Sequence, residues 1–329
     1  MMQRTSLNTV LRRGSAALLL AAAASLACAQ TYPAKPVRFV IGFSPGGPSD
    51  ILTRLVGTKL SEGLGQPFVF DNRPGAGGNI AGEITAKSPP DGYTILMGNN
   101  SILATNQSLY KNMGFDPVRD LEPVALIAAQ PNILVVHPSV PVKSVKELIA
   151  LARARPNELN YASSGSGAAA HLSAELFKSM THTQMVHVPY KGAAPALTDV
   201  LAGHCQLMFA TSLSVQPYIK SGRLRPLAVT TAKRARGNPE LPTVAEAGVP
   251  GFEANTWHGI VAPARTPQAI VSRLNAEVNK VLHMPNVRDR IEGLGGEILG
   301  GTPQEFAAYV KAEIPKWAKV VKDSGARAE

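Results

Sequence analysis

The sequence predicts an α/β protein with largely parallel sheets. Short apolar runs of strand length alternate with longer amphipathic runs of helix length along nearly the whole chain. The junctions between them are rich in Gly, Ser, Thr, Ala and Pro. No fixed-period repeat and no low-complexity tract interrupts the alternation.

In order, VRFVIGF (37–43) precedes SDILTRLVGTKLSEGLG (49–65), and FVFDN (68–72) precedes a glycine-rich turn and the helix NIAGEITAKS (79–88). YTILMG (93–98) leads to SILATNQSLY (101–110), and NILVVHP (132–138) to SVKELIALARARP (144–156). LNYASS (159–164) precedes SGAAAHLSAELFKSM (166–180), and MVHVPYKG (185–192) precedes APALTDVLAG (194–203). HCQLMFAT (204–211) leads to SVQPYIKSG (214–222) and then LRPLAVTT (224–231). HGIVAPA (258–264) precedes TPQAIVSRLNAEVNKVL (266–282), and a last helix is predicted over 303–322. Ser144 before Val145-Lys146-Glu147, and Thr302 before Pro303-Gln304-Glu305, are helix-capping arrangements. The stretch 235–253 is a long connection rich in Gly and Pro, exposed at least in part.

Residues 1–29 read as a leader. Arg4, Arg12 and Arg13 form a positive region, Ala16 to Leu26 a short apolar run, and Ala27-Cys28-Ala29 a small-residue cleavage site. Cleavage near Ala29 exports a chain of about 300 residues, enough for two domains, with the periplasm as its destination. Acylation of Cys28 is the weaker alternative, because Ser25 stands where a lipoprotein signal wants Leu. Of the two cysteines only Cys205 then remains, in the apolar context CQLMFA of a small buried hydrophobe, so no intramolecular disulfide forms. Losing the three leader arginines lowers the formal net charge from +10 to +7. The basic residues share no stripe, which argues against nucleic acid.

Several motifs suggest catalysis. Gly42-Phe43-Ser44-Pro45-Gly46 is a literal G-x-S-x-G, and an exported hydrolase using Ser44 is the rival reading from another class. The residue after that serine must donate its backbone N–H to an oxyanion, and Pro45 has none. Gly165-Ser166-Gly167 followed by Ala168-Ala169-Ala170 imitates a dinucleotide fingerprint, but the next strand, MVHVP (185–189), ends without the acid that would hold a ribose. The seven histidines include no H-E-x-x-H pattern, so no metal is implied.

The strand-to-helix junctions at 43–50, 98–101, 163–168 and 190–195 share one physical property. Small residues let a ligand approach the backbone, and a helix N-terminus offers unpaired N–H groups at the positive end of a dipole. Such ends hold carboxylates without a charged side chain, at the carboxyl ends of the strands. Each N–H to carboxylate bond contributes roughly 1.5–3 kcal/mol, so three or four support ~μM binding after ordering costs.

FSPGGPSD (43–50), FDNRPGAGGNIAGE (70–83), SPPDGYTILMG (88–98), NYASSGSGAAAHLSAELF (160–177), VPYKGAAPALTDVLAG (188–203), LPTVAEAGVPGFE (241–253) and TPQAIVSRLNAEV (266–278) occur in this order. Together they resemble the Bug family, the periplasmic solute receptors of tripartite tricarboxylate transporters, from about Tyr32 to the C-terminus. The resemblance implies a type II periplasmic-binding-protein fold: two α/β domains joined by two crossover strands, with a ligand cleft between them. Domain 1 would cover 31–131 plus 258–329 and domain 2 would cover 132–257, with crossovers near 131–136 and 252–259. It implies a small organic carboxylate as ligand, no catalysis, no cofactor, no nucleic acid, a monomer, and membrane subunits of a transporter or a sensor ectodomain as partner.

Carried over residue by residue, Phe43, Pro45, Gly47, Ser49 and Asp50 match the first-domain loop, where Asp50 either serves the ligand or caps its own helix. Asn99 and Ser101 fall on the domain 1 rim. Ser164, Ser166 and Gly167 match the second-domain helix N-terminus that takes a carboxylate, with His171 one turn on. Tyr190, Lys191 and Gly192 match another cleft loop, Lys191 adding a cation or remaining solvated. Trp257 stands near the second crossover, in the cleft or in the core. The family often has Asp after the Phe of an M-F-D pattern; here the run is Met208-Phe209-Ala210-Thr211, with Thr211 at the pocket. Losing that acid argues against an amino-acid ligand and leaves non-amino mono-, di- or aromatic carboxylates.

Overall fold

A computed structural model describes residues 32–235, 237–293 and 295–328. The leader and its cleavage site lie outside the described residues.

The first lobe is seeded by β1 (Val37–Ile41), whose side chains are almost wholly buried. It runs parallel to β2 (Phe68–Asn72) and to β3 (Thr94–Asn99). Two helices connect these strands: α1 (Pro48–Leu64), stopped by left-handed Gly65, and α2 (Asn79–Ala86). After β3 a π-helical turn (Ser101–Thr105) passes into the short α3 (Asn106–Leu109). One long strand follows, β4 (Leu121–Val136), then α4 (Val145–Ala154), β5 (Asn160–Ser163), α5 (Ala169–Thr181), β6 (Val186–Pro189), α6 (Ala193–Leu201), β7 (Leu207–Thr211), α7 (Ser212–Lys220) and β8 (Arg225–Val229). The chain closes with β9 (Asn255–Pro263), α8 (Gln268–Leu282), α9 (Pro285–Gly293), the two-residue β10 (Glu297–Ile298) and α10 (Pro303–Ser324).

β4 joins the lobes. From Leu121 to Pro131 it pairs with β9, and from Asn132 to Val136 with β7 and β8. The strand path is therefore β2-β1-β3-β9-β4-β7-β5-β6, with β8 and β10 also on β4. The outer pairs are parallel, as the strand–helix alternation predicts, but β9 runs antiparallel to β3 and β4, and β7 and β8 run antiparallel to β4. One strand enters the second lobe and another returns, so the middle of the sheet runs in opposite directions.

Caps read from the sequence are present. Ser144 Oγ accepts from Glu147 N at 3.2 Å, and Thr302 with Glu305 closes a reciprocal capping box on α10. The connection 235–253 is exposed in part, as its composition predicts, with Leu241, Val244, Val249 and Phe252 turned into the core. Phe252 packs against Phe177 and Phe209 in the second lobe. α10 bridges the lobes. Phe306 and Trp317 share a core with Phe177 and Phe209, and Ser179 Oγ on α5 donates to the Asp323 carbonyl at 3.3 Å.

Candidate functional site

Four helix N-termini converge where the lobes meet: α1, α5, α6 and α7. Their N-cap residues are Gly47, Ala168, Gly192 and Thr211, and none makes a side-chain capping bond. Their first-turn N–H groups are left for another acceptor. By contrast α4 and α10 are capped by Ser144 and Thr302, while α2 and α8, like the cleft helices, have no side-chain cap.

Two chambers lie at this junction. The inner one admits the centre of a water-sized sphere over about 30 Å³, room for roughly two waters or one carboxylate head. Phe43, Pro48, Ser49, Asn99 and Ser101 line it from the first lobe, and Asn132, Thr256 and His258 from the crossover strands. Ser164, Ala168 to Ala170, Ala193 and Met208 to Thr211 complete it from the second. The outer chamber is about 280 Å³ and shares Phe43 and Ser164 with the inner one. Gly75 to Gly78, Tyr110, Gly165, Ser166 and Pro189 to Lys191 form its walls. Neither lining contains an Asp or Glu.

Polar groups in the inner lining keep hydrogen-bonding capacity to spare. Ser101 is fully buried, and its Oγ finds no hydrogen-bond partner among the described residues. Asn99 Oδ1 accepts from Ile102 N at 3.1 Å, which leaves its NH2 group for the chamber. Ser49 Oγ lies 3.0 Å from His258 Nε2. Burial holds His258 neutral, its pKa pushed down to about 3.

Of the residues singled out in the sequence, Phe43, Ser49, Asn99, Ser101, Ser164 and Thr211 meet in the inner chamber, and Ser166, Tyr190 and Lys191 in the outer. The remainder stand behind these walls. Pro45 is exposed. Gly47 begins α1. Asp50 caps its own loop: it accepts from Gly46 N at 2.9 Å, Arg54 Nε at 3.0 Å and Asn72 Nδ2 at 3.1 Å. Burial pushes its pKa up, but these hydrogen bonds and the Arg54 charge outweigh burial and hold it below the usual carboxylate value. His171 accepts from Gly167 N at 3.1 Å and stacks on His187, ring centroids 4.1 Å apart. It orders the loop from behind. Trp257 belongs to the core: it is fully buried, and its Nε1 donates to Glu313 at 2.8 Å, as does Trp317 Nε1. The Tyr190 hydroxyl turns away from the cleft to Asp199.

Sequence reading missed Asn132, Thr256 and His258 on the cavity floor. The available signal was a polar residue inside an apolar crossover run, NILVV or TWHGIVA.

Contacts between the lobes close the mouth. Ser44 donates from both N (3.2 Å) and Oγ (2.7 Å) to the Lys191 carbonyl, and the Tyr110 hydroxyl donates to the Ser166 carbonyl at 3.1 Å. Ser44 therefore serves the lobe contact, and its hydroxyl has no histidine as a hydrogen-bond partner among the described residues. A Cβ on Gly192 would come within 2.8 Å of Ser44 N, and one on Gly77 within 2.6 Å of the Ser166 carbonyl. Glycine is needed at both because two backbones touch there.

Two lobes on crossover strands, with uncapped helix ends around a small cleft, define a solute-binding receptor. Residues 52–326 match the family model described as "Tripartite tricarboxylate transporter family receptor", and the chain belongs to that family. It is 37% identical over 300 residues to "Protein BugT" of Bordetella pertussis, covering 91% of this chain and 92% of that protein. Among solved structures it is similar to "R. palustris Rpa4515 with adipate" (TM-score 0.88, 46% identity, 91% of this chain and 100% of that one). It is also similar to "MatC (Rpa3494) from Rhodopseudomonas palustris with bound malate" (TM-score 0.85, 31% identity, 88% and 100%). The fold is that of type II periplasmic binding proteins, and the family is one of periplasmic solute receptors, not enzymes. No helix among the described residues is long and apolar enough to cross a membrane.

Proposed function

We propose that this protein captures a small organic carboxylate without an amino group and delivers it to the membrane subunits of a tripartite tricarboxylate transporter. One carboxylate head would occupy the inner chamber, facing Ser49, Asn99, Ser101 and the N–H groups of α5. The rest of the ligand would extend into the outer chamber, where Lys191 is available for a second carboxylate. The carrying observation is the chamber itself: unpaired donors, an unpartnered buried Ser101 hydroxyl and no acidic side chain in the lining. A site without an acid favours an anion and disfavours an ammonium group. Two of the similar structures, one with adipate and one with bound malate, hold carboxylates and support the same class.

In this reading residues 31–131 plus 258–329 form one lobe and 132–257 the other. The change of partner along β4 between Pro131 and Asn132 supports that division. The mature receptor, released by cleavage near Ala29, would act as a monomer that closes on its ligand. A sensor ectodomain in place of the transporter would use the same cleft.

A thermal-shift screen of the mature protein against mono-, di- and aromatic carboxylates, each beside its primary amide, tests the proposal. At least one acid raises the melting temperature and its amide does not. Equal shifts for acid and amide, or none for any acid, would remove the carboxylate from the reading.

A further inference from the structure

Ser49, His258 and Gln130 form a chain of side chains beneath the inner chamber. Ser49 Oγ lies 3.0 Å from His258 Nε2, and His258 Nδ1 lies 3.0 Å from Gln130 Nε2. Ser49 and His258 line the cavity, while Gln130 stands behind them. All three are buried, with relative exposures of 3%, 0% and 1%. We propose that Gln130 and His258 are positioning residues that fix Ser49 as a hydrogen-bond donor to the carboxylate of the ligand. This inference rests on the carboxylate reading above.

An amide nitrogen has only hydrogens to offer, so the ring nitrogen it faces must be the bare one. With Nδ1 bare, a neutral imidazole carries its hydrogen on Nε2, and that hydrogen goes to Ser49 Oγ. Ser49 then receives one bond from behind, and its own hydrogen is free to turn toward the chamber. The reversed amide would set the Gln130 oxygen against Nδ1–H. It would also move both amide hydrogens to where Oε1 now stands, a place with no partner among the described residues. Buried N–H groups without an acceptor are rarer than buried carbonyl oxygens without a donor, so the orientation with Nε2 toward the ring is the cheaper one.

A charged ring would break the chain, since Nδ1–H would face the NH2 of Gln130. Complete burial with no carboxylate among the ring's hydrogen-bond partners keeps the ring neutral. Asn99 adds a second free donor from the same lobe, because Ile102 N occupies its oxygen. Ser49 and Asn99 thus both offer hydrogens to the chamber. A carboxylate accepts through both of its oxygens and carries a charge that strengthens each bond, whereas a primary amide accepts through one neutral oxygen only.

Nitrogen-15 NMR of the histidine-labelled protein reads the tautomer directly, without ligand. His258 is expected neutral with its hydrogen on Nε2 between about pH 5 and 8, and Gln130→Leu should erase the preference for that tautomer. With adipate or malate as probe, His258→Leu should weaken binding roughly tenfold, whereas His258→Gln, which keeps an N–H for Ser49, should stay within about threefold. A hydrogen on Nδ1, a charged ring in that range, or equal losses in the two His258 variants would overturn the proposal. If the tautomer is Nδ1–H and acids still bind, only this inference falls. If no acid binds the wild-type protein, the carboxylate reading falls and takes this inference with it.

Discussion

Ser101 is buried beside the inner chamber with a hydroxyl that bonds to nothing among the described residues. Ligand-free protein carries its desolvation cost without return. Ser101→Ala should therefore leave the unliganded melting temperature unchanged or raised, yet weaken carboxylate binding about tenfold, the worth of one hydrogen bond to a charged group. Paired melting and titration check both halves. His171, His187 and His258 make a pH prediction. Burial, the first cause in each case, pushes their pKa values from 6.5 down to about 4, 3 and 3, with the Lys178 charge assisting at His171 and mainly the His171 charge at His187. Below pH 6.5 the unfolded chain takes up protons that the folded one refuses. Stability is thus full above that pH and falls as pH drops toward 4 and then 3, by up to about 3 kcal/mol for His171 and up to about 5 kcal/mol for His187 and for His258. Denaturant titrations at neutral pH and near pH 4.5 should show the loss, and equal midpoints would contradict it. Small polar residues at strand–helix junctions marked Ser49, Asn99, Ser101 and Ser164, and the family's M-F-D run marked Thr211; the fold brings all five to the inner chamber. His258 and Thr256 were not legible, because TWHGIVA reads as a plain buried strand until its partner strands place it on the cleft floor.

The N-termini of α4 and α10 are closed by side chains, those of α1, α5, α6 and α7 lack a side-chain cap and open on the cleft, and those of α2 and α8 lack one elsewhere. Thr302→Ala removes one arm of the α10 capping box and should cost about 1 kcal/mol of unfolding free energy, with ligand affinity unchanged. A change in affinity would mean that α10 takes part in closure. The capping boxes were readable because they are local, four-residue patterns. Strand direction was not, since periodicity is the same whichever way a strand runs. β4 was under-read for a different reason. Pro123 and Pro131 suggest breaks, as proline removes a ladder hydrogen bond. In the fold Pro123 sits at a register shift and Pro131 is the last residue before β4 changes partner, so neither break is needed. The π-helical turn Ser101–Thr105 also escaped, because its residues carry the same propensities as an α-helix.

The two lobes touch at the mouth of the cleft through glycines that leave no room for a side chain. Gly192→Val would drive a branched side chain into Ser44 and hold the lobes apart. X-ray scattering should then give a larger radius of gyration that no acid reduces, with binding weakened at least tenfold, while the circular dichroism of each lobe is kept. A variant that compacts like the wild type would show that closure does not pass through this contact. The family resemblance carried the whole-molecule architecture, since the order of weak motifs encodes it even where no single motif does. The most direct measurement is mass spectrometry of whatever compound the protein retains when purified from the periplasm. A small carboxylate without an amino group, released on unfolding with its mass unchanged, is the result expected. A neutral or cationic compound, or one chemically altered during its stay, would contradict capture of an acid by two closing lobes.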